Sequence, residues 1–194
     1  MNWASITPEH AQHVAMLLWD LLLLVWLLLW FGMKRAKKLE TPWERAQHVV
    51  PVVVAFWLLF QSQWPVLGAR LLPETPAVLL AGMVVTALGV GIGIWARLSL
   101  GTNWSGMVTL KKDHELVRKG LYRWIRHAIY TGILIGFVGT ELIKGHAGGF
   151  LGFAILWLSF YFKARREENF LRQEFGEGFE QHARHTGMFL PKLT

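Results

Sequence analysis

The chain has 194 residues, of which 53% are hydrophobic and only 17% charged, against roughly 25% charged residues in a soluble domain. A water-soluble core of this length does not absorb so much apolar surface, so the excess belongs in a bilayer, and a single domain over residues 1–194 is expected. There is no cysteine, which excludes disulfides, thiolate metal sites, thiol nucleophiles and palmitoylation, and the net charge of +7 lies between apolar runs rather than on a soluble face, which argues against nucleic acid as a partner.

Five segments are apolar enough and long enough to cross about 30 Å of hydrocarbon, at residues 12–33, 47–68, 76–98, 127–144 and 147–163. The first contains MLLWDLLLLVWLLLWFGM and is followed by Lys34, Arg35, Lys37 and Lys38, a stop-transfer pattern. No basic residue precedes the run, and no small-residue cleavage site follows, so a signal peptide is disfavoured. The second segment includes Pro51 and Pro65, which lipid-embedded helices tolerate when neighbours satisfy the freed carbonyl. In the third, Gly89, Gly91 and Gly93 follow no strand and lie at membrane depth, so they fit close helix packing rather than a nucleotide loop. Only KGHAGG joins the fourth and fifth segments, which predicts a tight antiparallel hairpin. Asp20 and Glu141 are the acidic residues inside these runs, where a charge is costly. The tail spaces Phe170, Leu171, Phe175 and Phe179 at helical intervals between charges and reads as an amphipathic helix continuing from the membrane.

Eighteen of the twenty lysines and arginines fall in the loops after the first and third segments and in the tail; Arg70 and Lys144 stand alone in or beside the opposite loops. An odd number of crossings is needed for that segregation, and the positive-inside rule then puts the N-terminus outside and the C-terminus in the cytosol. The expected protein is thus an all-α integral membrane bundle of about five transmembrane helices with a cytosolic C-terminal amphipathic helix. Residues 1–99 hold the three N-terminal spans; residues 100–194 hold a loop, the helical hairpin and the tail. The chain has no second pseudo-symmetric half, which weighs against a transporter.

Two stretches on the basic side carry polar groups at high density, HELVRKGLYRWIRHAIYTG (114–132) and RREENFLRQEFG (165–176). The hairpin brings them together. Carboxylates to hold a cationic ligand and aromatics to stack on a flat ring suit an adenosyl cofactor. On composition alone, an interfacial aromatic belt and a helical ion-pair face account for the same residues. Asn103 and Trp104 precede the first stretch and could line the acceptor side, or form an interfacial turn.

The order of features resembles the isoprenylcysteine carboxyl methyltransferase family and the related integral membrane phospholipid methyltransferases. Its blocks read here as His114-Glu115-Leu116-Val117, Gly120-Leu121-Tyr122, Arg126-His127-Ala128-Ile129-Tyr130 and Glu167-Glu168. The likeness covers roughly residues 100 to 194. Ala128 stands where the family usually has proline, and His182 stands at best for a tyrosine common late in the tail. The resemblance implies S-adenosylmethionine as methyl donor, with S-adenosylhomocysteine as product, held by His114, Leu116, Val117, Tyr122, His127, Tyr130 and Glu167. It implies Glu167, Glu168 and Arg166 as catalytic residues, and Lys163, Arg165 or Arg166 at the substrate carboxylate, with no metal. The acceptor is expected to be a lipophilic or prenylated small molecule or protein, reached from the membrane lipids while the donor arrives from the cytosol. Methyl transfer from a sulfonium is an in-line displacement, for which a carboxylate nucleophile needs no base and an amine would need one, such as His127 or a glutamate. The competing expectations are an NADPH-dependent membrane reductase of the sterol type and a non-enzymatic scaffold.

Overall fold

The computed structural model describes residues 6–30, 41–61, 64–101 and 116–192. Six helices follow in order: α1 (Pro8–Trp30), α2 (Pro42–Phe60), α3 (Pro76–Leu100), α4 (Ala128–Lys144), α5 (Ala147–Phe175) and α6 (Glu177–His185), with a 3-10 turn at Gly120–Arg123. No extended strand occurs among the described residues; two isolated bridges pair Arg70 with His146 and Ile125 with Gly187. α1, α3 and α5 are long and apolar enough to span a bilayer. This is an integral membrane protein: Leu17, Leu23 and Leu28 of α1 and Leu88 of α3 point outward, at 58% exposure or more, a cost in water that lipid removes.

The helix starts are written locally. Thr41 caps α2 by accepting from the Glu44 N–H at 3.2 Å while Glu44 accepts from the Thr41 N–H at 2.8 Å, with Pro42 in the first turn. At the start of α3, Thr75 Oγ1 accepts from the Val78 N–H at 3.3 Å, with Pro76 again in the first turn but no reciprocal bond. The second helix stops at Phe60, eight residues short of the expected 68; Pro51 lies within it, but Pro65 lies in the turns beyond it. The fifth helix runs on past the expected 163 to Phe175 without interruption. The tail helix then breaks in two at Gly176, whose φ of 50° only a residue without a Cβ adopts freely.

α3 and α4 form the most intimate pair. A Cβ on Gly89 would stand 2.1 Å from the Gly136 nitrogen, one on Gly132 2.4 Å from the Gly93 nitrogen, and one on Gly139 2.2 Å from the Thr86 nitrogen. Backbone therefore rests on backbone, the arrangement small residues allow where lipid offers no hydrophobic drive to association. At mid-depth the Trp19 indole donates to Thr140 Oγ1 at 2.9 Å, and the Thr86 and Thr140 hydroxyls meet at 3.3 Å, tying α1 to the pair. Gly91 has nothing near it and faces away from the seam.

α5 packs chiefly on α2 rather than on α4, although only two residues join α4 to α5. The hairpin tip is held by Arg70, which donates to the carbonyls of Lys144 (3.1 Å) and Ile143 (3.4 Å) at the end of α4 and pairs with Glu74 at 2.7 Å. At the opposite end of the bundle, Arg97 is 1% exposed and donates to the carbonyls of Gly101 (2.8 Å) and Leu29 (3.0 Å), closing the ends of α3 and α1. Of the two intramembrane acids, Asp20 is exposed and Glu141 is buried beside Gly149.

Candidate active site

The polar stretches meet where α4 begins and the apolar part of α5 ends. Phe162 is the last residue of that apolar part; Lys163, Arg165, Arg166, Glu167 and Glu168 follow on the same helix. His127 immediately precedes α4 and is 6% exposed. Its two ring nitrogens face two carboxylates, Nδ1 at 3.4 Å from Glu167 Oε2 and Nε2 at 3.3 Å from Glu168 Oε1. Tyr130, one turn into α4, donates its hydroxyl to Glu167 Oε1 at 2.7 Å. Its ring lies parallel to that of His127, 5.5 Å away, and stacks on Phe160 of α5 at 4.6 Å.

The neighbouring glutamates differ. Glu168 is 2% exposed and is engaged by Arg126 Nε at 2.8 Å, by His127 and by Arg172 at 3.5 Å. Glu167 is 23% exposed; its Oε1 accepts from Tyr130 and its Oε2 lies 3.4 Å from His127 Nδ1. Burial works against the charge on Glu168, but the hydrogen bonds from His127 and Arg126 outweigh it and bring its pKa down to about 2. Glu167 is likewise lowered: burial opposes, while the His127 contact and the charge of Lys163 prevail. His127 is raised, because burial is outweighed by bonding to both glutamates. The three shifts share one cause, the pairing of the His127 ring with both carboxylates.

Tyr122, in the 3-10 turn, is buried with Ala96, Ile125, Ala128 and Ile129, and Val117 packs on that cluster. Burial, then the nearby charge of Glu167, push its phenol above the usual range, so it is a neutral donor. Leu116 is half-buried. Lys163 lies over the Tyr130 ring, 5.7 Å from its centre. Arg166 reaches across to α2 and donates to the Gln47 side chain, and Arg165 is exposed. His114, Asn103 and Trp104 lie outside the described residues. No cluster of three metal-binding side chains occurs among the described residues.

A cavity of about 370 Å³ opens beside this cluster, between α2 and α5. Pro51, Ile155, Leu158 and Phe162 form its apolar wall; Gln47, His48, Ser159, Lys163 and Arg166 gather at its polar end. Pro51 removes the N–H that would bond the Gln47 carbonyl in an uninterrupted helix, and Ser159 donates to the His48 carbonyl at 3.4 Å. Sequence reasoning missed Gln47 and His48 altogether and treated Pro51 only as a kink. Their one local signal was a polar pair at the start of an apolar run; which helix faced them was not local information. It also missed the segment after α6, where Gly187, Met188 and Phe189 lie along residues 124–127. His182 is 9% exposed and its carbonyl accepts from Thr186 Oγ1 at 2.7 Å.

The chain is similar to known membrane methyltransferases. The family model described as phospholipid methyltransferase matches residues 77–178. A probable protein-S-isoprenylcysteine O-methyltransferase of Oryza sativa subsp. indica is 32% identical over 112 residues, 55% of this chain and 59% of that protein. The protein-S-isoprenylcysteine O-methyltransferase of Schizosaccharomyces pombe is 33% identical over 101 residues, 50% of this chain and 43% of that protein. That of Dictyostelium discoideum is 25% identical over 176 residues, 87% of this chain and 73% of that protein. The chain thus spans little more than half the length of the rice relative and less than half that of the fission yeast one. Among solved structures, a eukaryotic intramembrane Ras methyltransferase, isoprenylcysteine carboxyl methyltransferase, shares the fold with a TM-score of 0.55 at 24% identity, over 80% of this chain and 54% of that one. With the family model covering more than half of its residues, from α3 through the start of α6, the chain belongs to the phospholipid methyltransferase family.

Proposed function

We propose that the protein is an S-adenosylmethionine-dependent methyltransferase whose acceptor is lipophilic and carries a carboxylate, as an isoprenylcysteine does. One observation carries this reading: Lys163 belongs to two sites at once. It sits over Tyr130, the residue that holds Glu167, and it lines the polar end of the α2–α5 cavity. Donor and acceptor sites therefore adjoin on one helix, Glu167 one turn beyond Lys163.

The residues suit an adenosyl donor. Glu167 presents a partly exposed carboxylate to a ligand bearing an amino group and a sulfonium, and Tyr122, His127 and Tyr130 add hydrogen-bonding and flat surfaces beside it. S-adenosylmethionine supplies an electrophilic methyl group when bound. Lys163 and Arg166 attract and orient the acceptor carboxylate, while Pro51, Ile155, Leu158 and Phe162 hold its apolar chain and exclude water. A carboxylate is nucleophilic at neutral pH, so no side chain has to remove a proton from it. His127, occupied by two carboxylates, serves here to fix Glu167 rather than as a base.

In this reading the chain forms one domain, α1 to α5 each cross the membrane, and the site lies on the cytosolic side with the C-terminus, the N-terminus being outside. The support is the segregation of Lys and Arg. α4 has 17 residues and is therefore about 25 Å long, short for a span but packed along α3 throughout. The deciding experiment is calorimetric titration of the purified protein with S-adenosylhomocysteine and with NADPH. Binding of the first and indifference to the second is expected; the reverse result would assign the protein to the reductase class, and binding of neither to a scaffold.

A further inference from the structure

Among the described residues of the site, Arg126 is the guanidinium that faces inward, at 13% side-chain exposure. It works in two directions. Nε donates to Glu168 at 2.8 Å, while Nη1 donates to the carbonyl of Ala183 at 3.3 Å, to the carbonyl of Thr186, and to Thr186 Oγ1 at 3.2 Å. Those carbonyls belong to the last turn of α6 and the residue after it, where helical geometry leaves acceptors without donors and the helix dipole favours a cation. One side chain thus neutralises a buried carboxylate on α5 and caps α6.

The backbone repeats the connection. The Arg126 N–H donates to Gly187 O at 2.9 Å, the His127 N–H to Met188 O at 3.0 Å, and the Gly187 N–H to Trp124 O at 3.0 Å. Thr131 Oγ1 donates to Phe189 O at 2.7 Å, and the Phe189 ring lies 6.1 Å from that of His127. The segment 186–189 is therefore a strap across the start of α4, and it covers the side of His127 that the two glutamates do not. Removing the guanidinium would leave Glu168 buried with less compensation and the α6 carbonyls uncapped, both of which favour release of the strap.

We propose that Arg126 is a positioning residue for the donor site: by fastening the strap and Glu168 to residues 124–127 it holds His127, and through it Glu167, in place without itself touching either substrate. The choice of probe rests on the methyltransferase reading. The test compares wild type, Arg126→Gln and Arg126→Lys in detergent, by hydrogen exchange of the amides at positions 126, 127 and 187, by calorimetry with S-adenosylhomocysteine, and by steady-state methyl transfer. In Arg126→Gln, exchange at those three amides rises at least tenfold, donor Kd and KM rise at least tenfold, and kcat at saturating substrates stays within about threefold. Arg126→Lys retains the charge for Glu168 but not the fork that reaches three acceptors, so it falls between. Should Arg126→Gln fail to fold, Arg126→Lys decides alone: exchange and donor Kd are expected to rise together, each by about threefold or more, and a rise in only one of them overturns the proposal.

Fast exchange with donor affinity unchanged would overturn the proposal, since the strap would then be irrelevant to the pocket. Weakened donor binding with exchange unchanged would also overturn it, because Arg126 would then be a direct ligand. A wild-type protein that binds no S-adenosylhomocysteine defeats the functional reading instead. The coupling is then decided by the His127 ring ¹⁵N resonances, which shift in Arg126→Gln if Arg126 positions the ring and stay put if it does not.

Discussion

Along α3 and α4, glycine backbone meets glycine backbone; along α4 and α5 the contacts are made by long side chains, Tyr130 on Phe160 and Phe137 near Phe153 at 6.3 Å. The first pairing leaves no space and has no adjustable part. The second keeps the helix axes apart and fills the gap with groups that rotate, and all of the site's charges lie at its mouth. α4 is thus a fixed wall on its α3 face and a side-chain-filled contact on its α5 face, with His127 and Tyr130 at its start meeting the carboxylates of α5.

The largest expected effect comes from spoiling the fixed wall. Gly89→Val should cost about 3 kcal/mol or more, at or beyond the top of the usual range for overpacking, since the obstruction is backbone and has nowhere to move. Gly91→Ala, two residues on and facing open space, should stay within about 1 kcal/mol, the helix-propensity gain from Gly to Ala included. Thermal unfolding in detergent measures both, and equal losses for the two would dismiss the seam as the source of rigidity.

On the α5 side, Glu167→Gln should weaken S-adenosylhomocysteine binding about ten- to hundredfold, the value of a hydrogen bond to a charged group at about 1.5–3 kcal/mol. The melting temperature should hardly change, because Glu167 is the exposed member of the pair. Glu168→Gln should lower stability as well, since it leaves Arg126 and Arg172 without their shared partner. If the two variants behaved alike, the division between a ligand-facing and a structural glutamate would be wrong.

Lys163→Met should raise the acceptor KM about tenfold, or about 1.4 kcal/mol, with donor affinity changed far less. A loss confined to donor binding would detach Lys163 from the α2–α5 cavity and leave it a partner of Tyr130 only.

The smallest effect concerns pH. His127 has a raised pKa in the fold, so its contribution to stability is complete below about 6.5 and is lost as pH rises through the higher folded value. Glu168 has the opposite sign: its contribution is complete above about 4.3 and disappears only as pH falls toward about 2. Above about pH 6.5 the wild type should therefore lose stability as pH rises, and His127→Gln should flatten the curve. A wild-type profile that is flat there would show that the imidazolium is not held by its two carboxylates.

Much of this molecule was legible in one dimension. Apolar runs locate the helices to within a few residues, and the family resemblance points to His127, Tyr130 and Glu167-Glu168, which the structure does bring together. Length and hydropathy are local properties of the chain. The end of α2 was misjudged because residues 64–68 are largely apolar without being helical, and hydropathy does not distinguish the two.

Tertiary structure alone decided the rest. Which of two adjacent glutamates is sealed and which stays partly exposed depends on where Arg126 and Arg172 reach, 42 residues away in one case and one helical turn in the other. The cavity between α2 and α5 depends on α5 choosing α2 as its partner, so that Gln47 and His48 face Lys163 across more than a hundred residues of chain. The strap of residues 186–189 pairs with 124–127 through backbone groups that carry no sequence signature. Sequence by itself determined which residues are apolar, about where the helices lie, and what chemistry is at hand; the fold determined which of those groups share a cavity, because proximity across the bundle is set by packing between distant segments and not by the order of the chain.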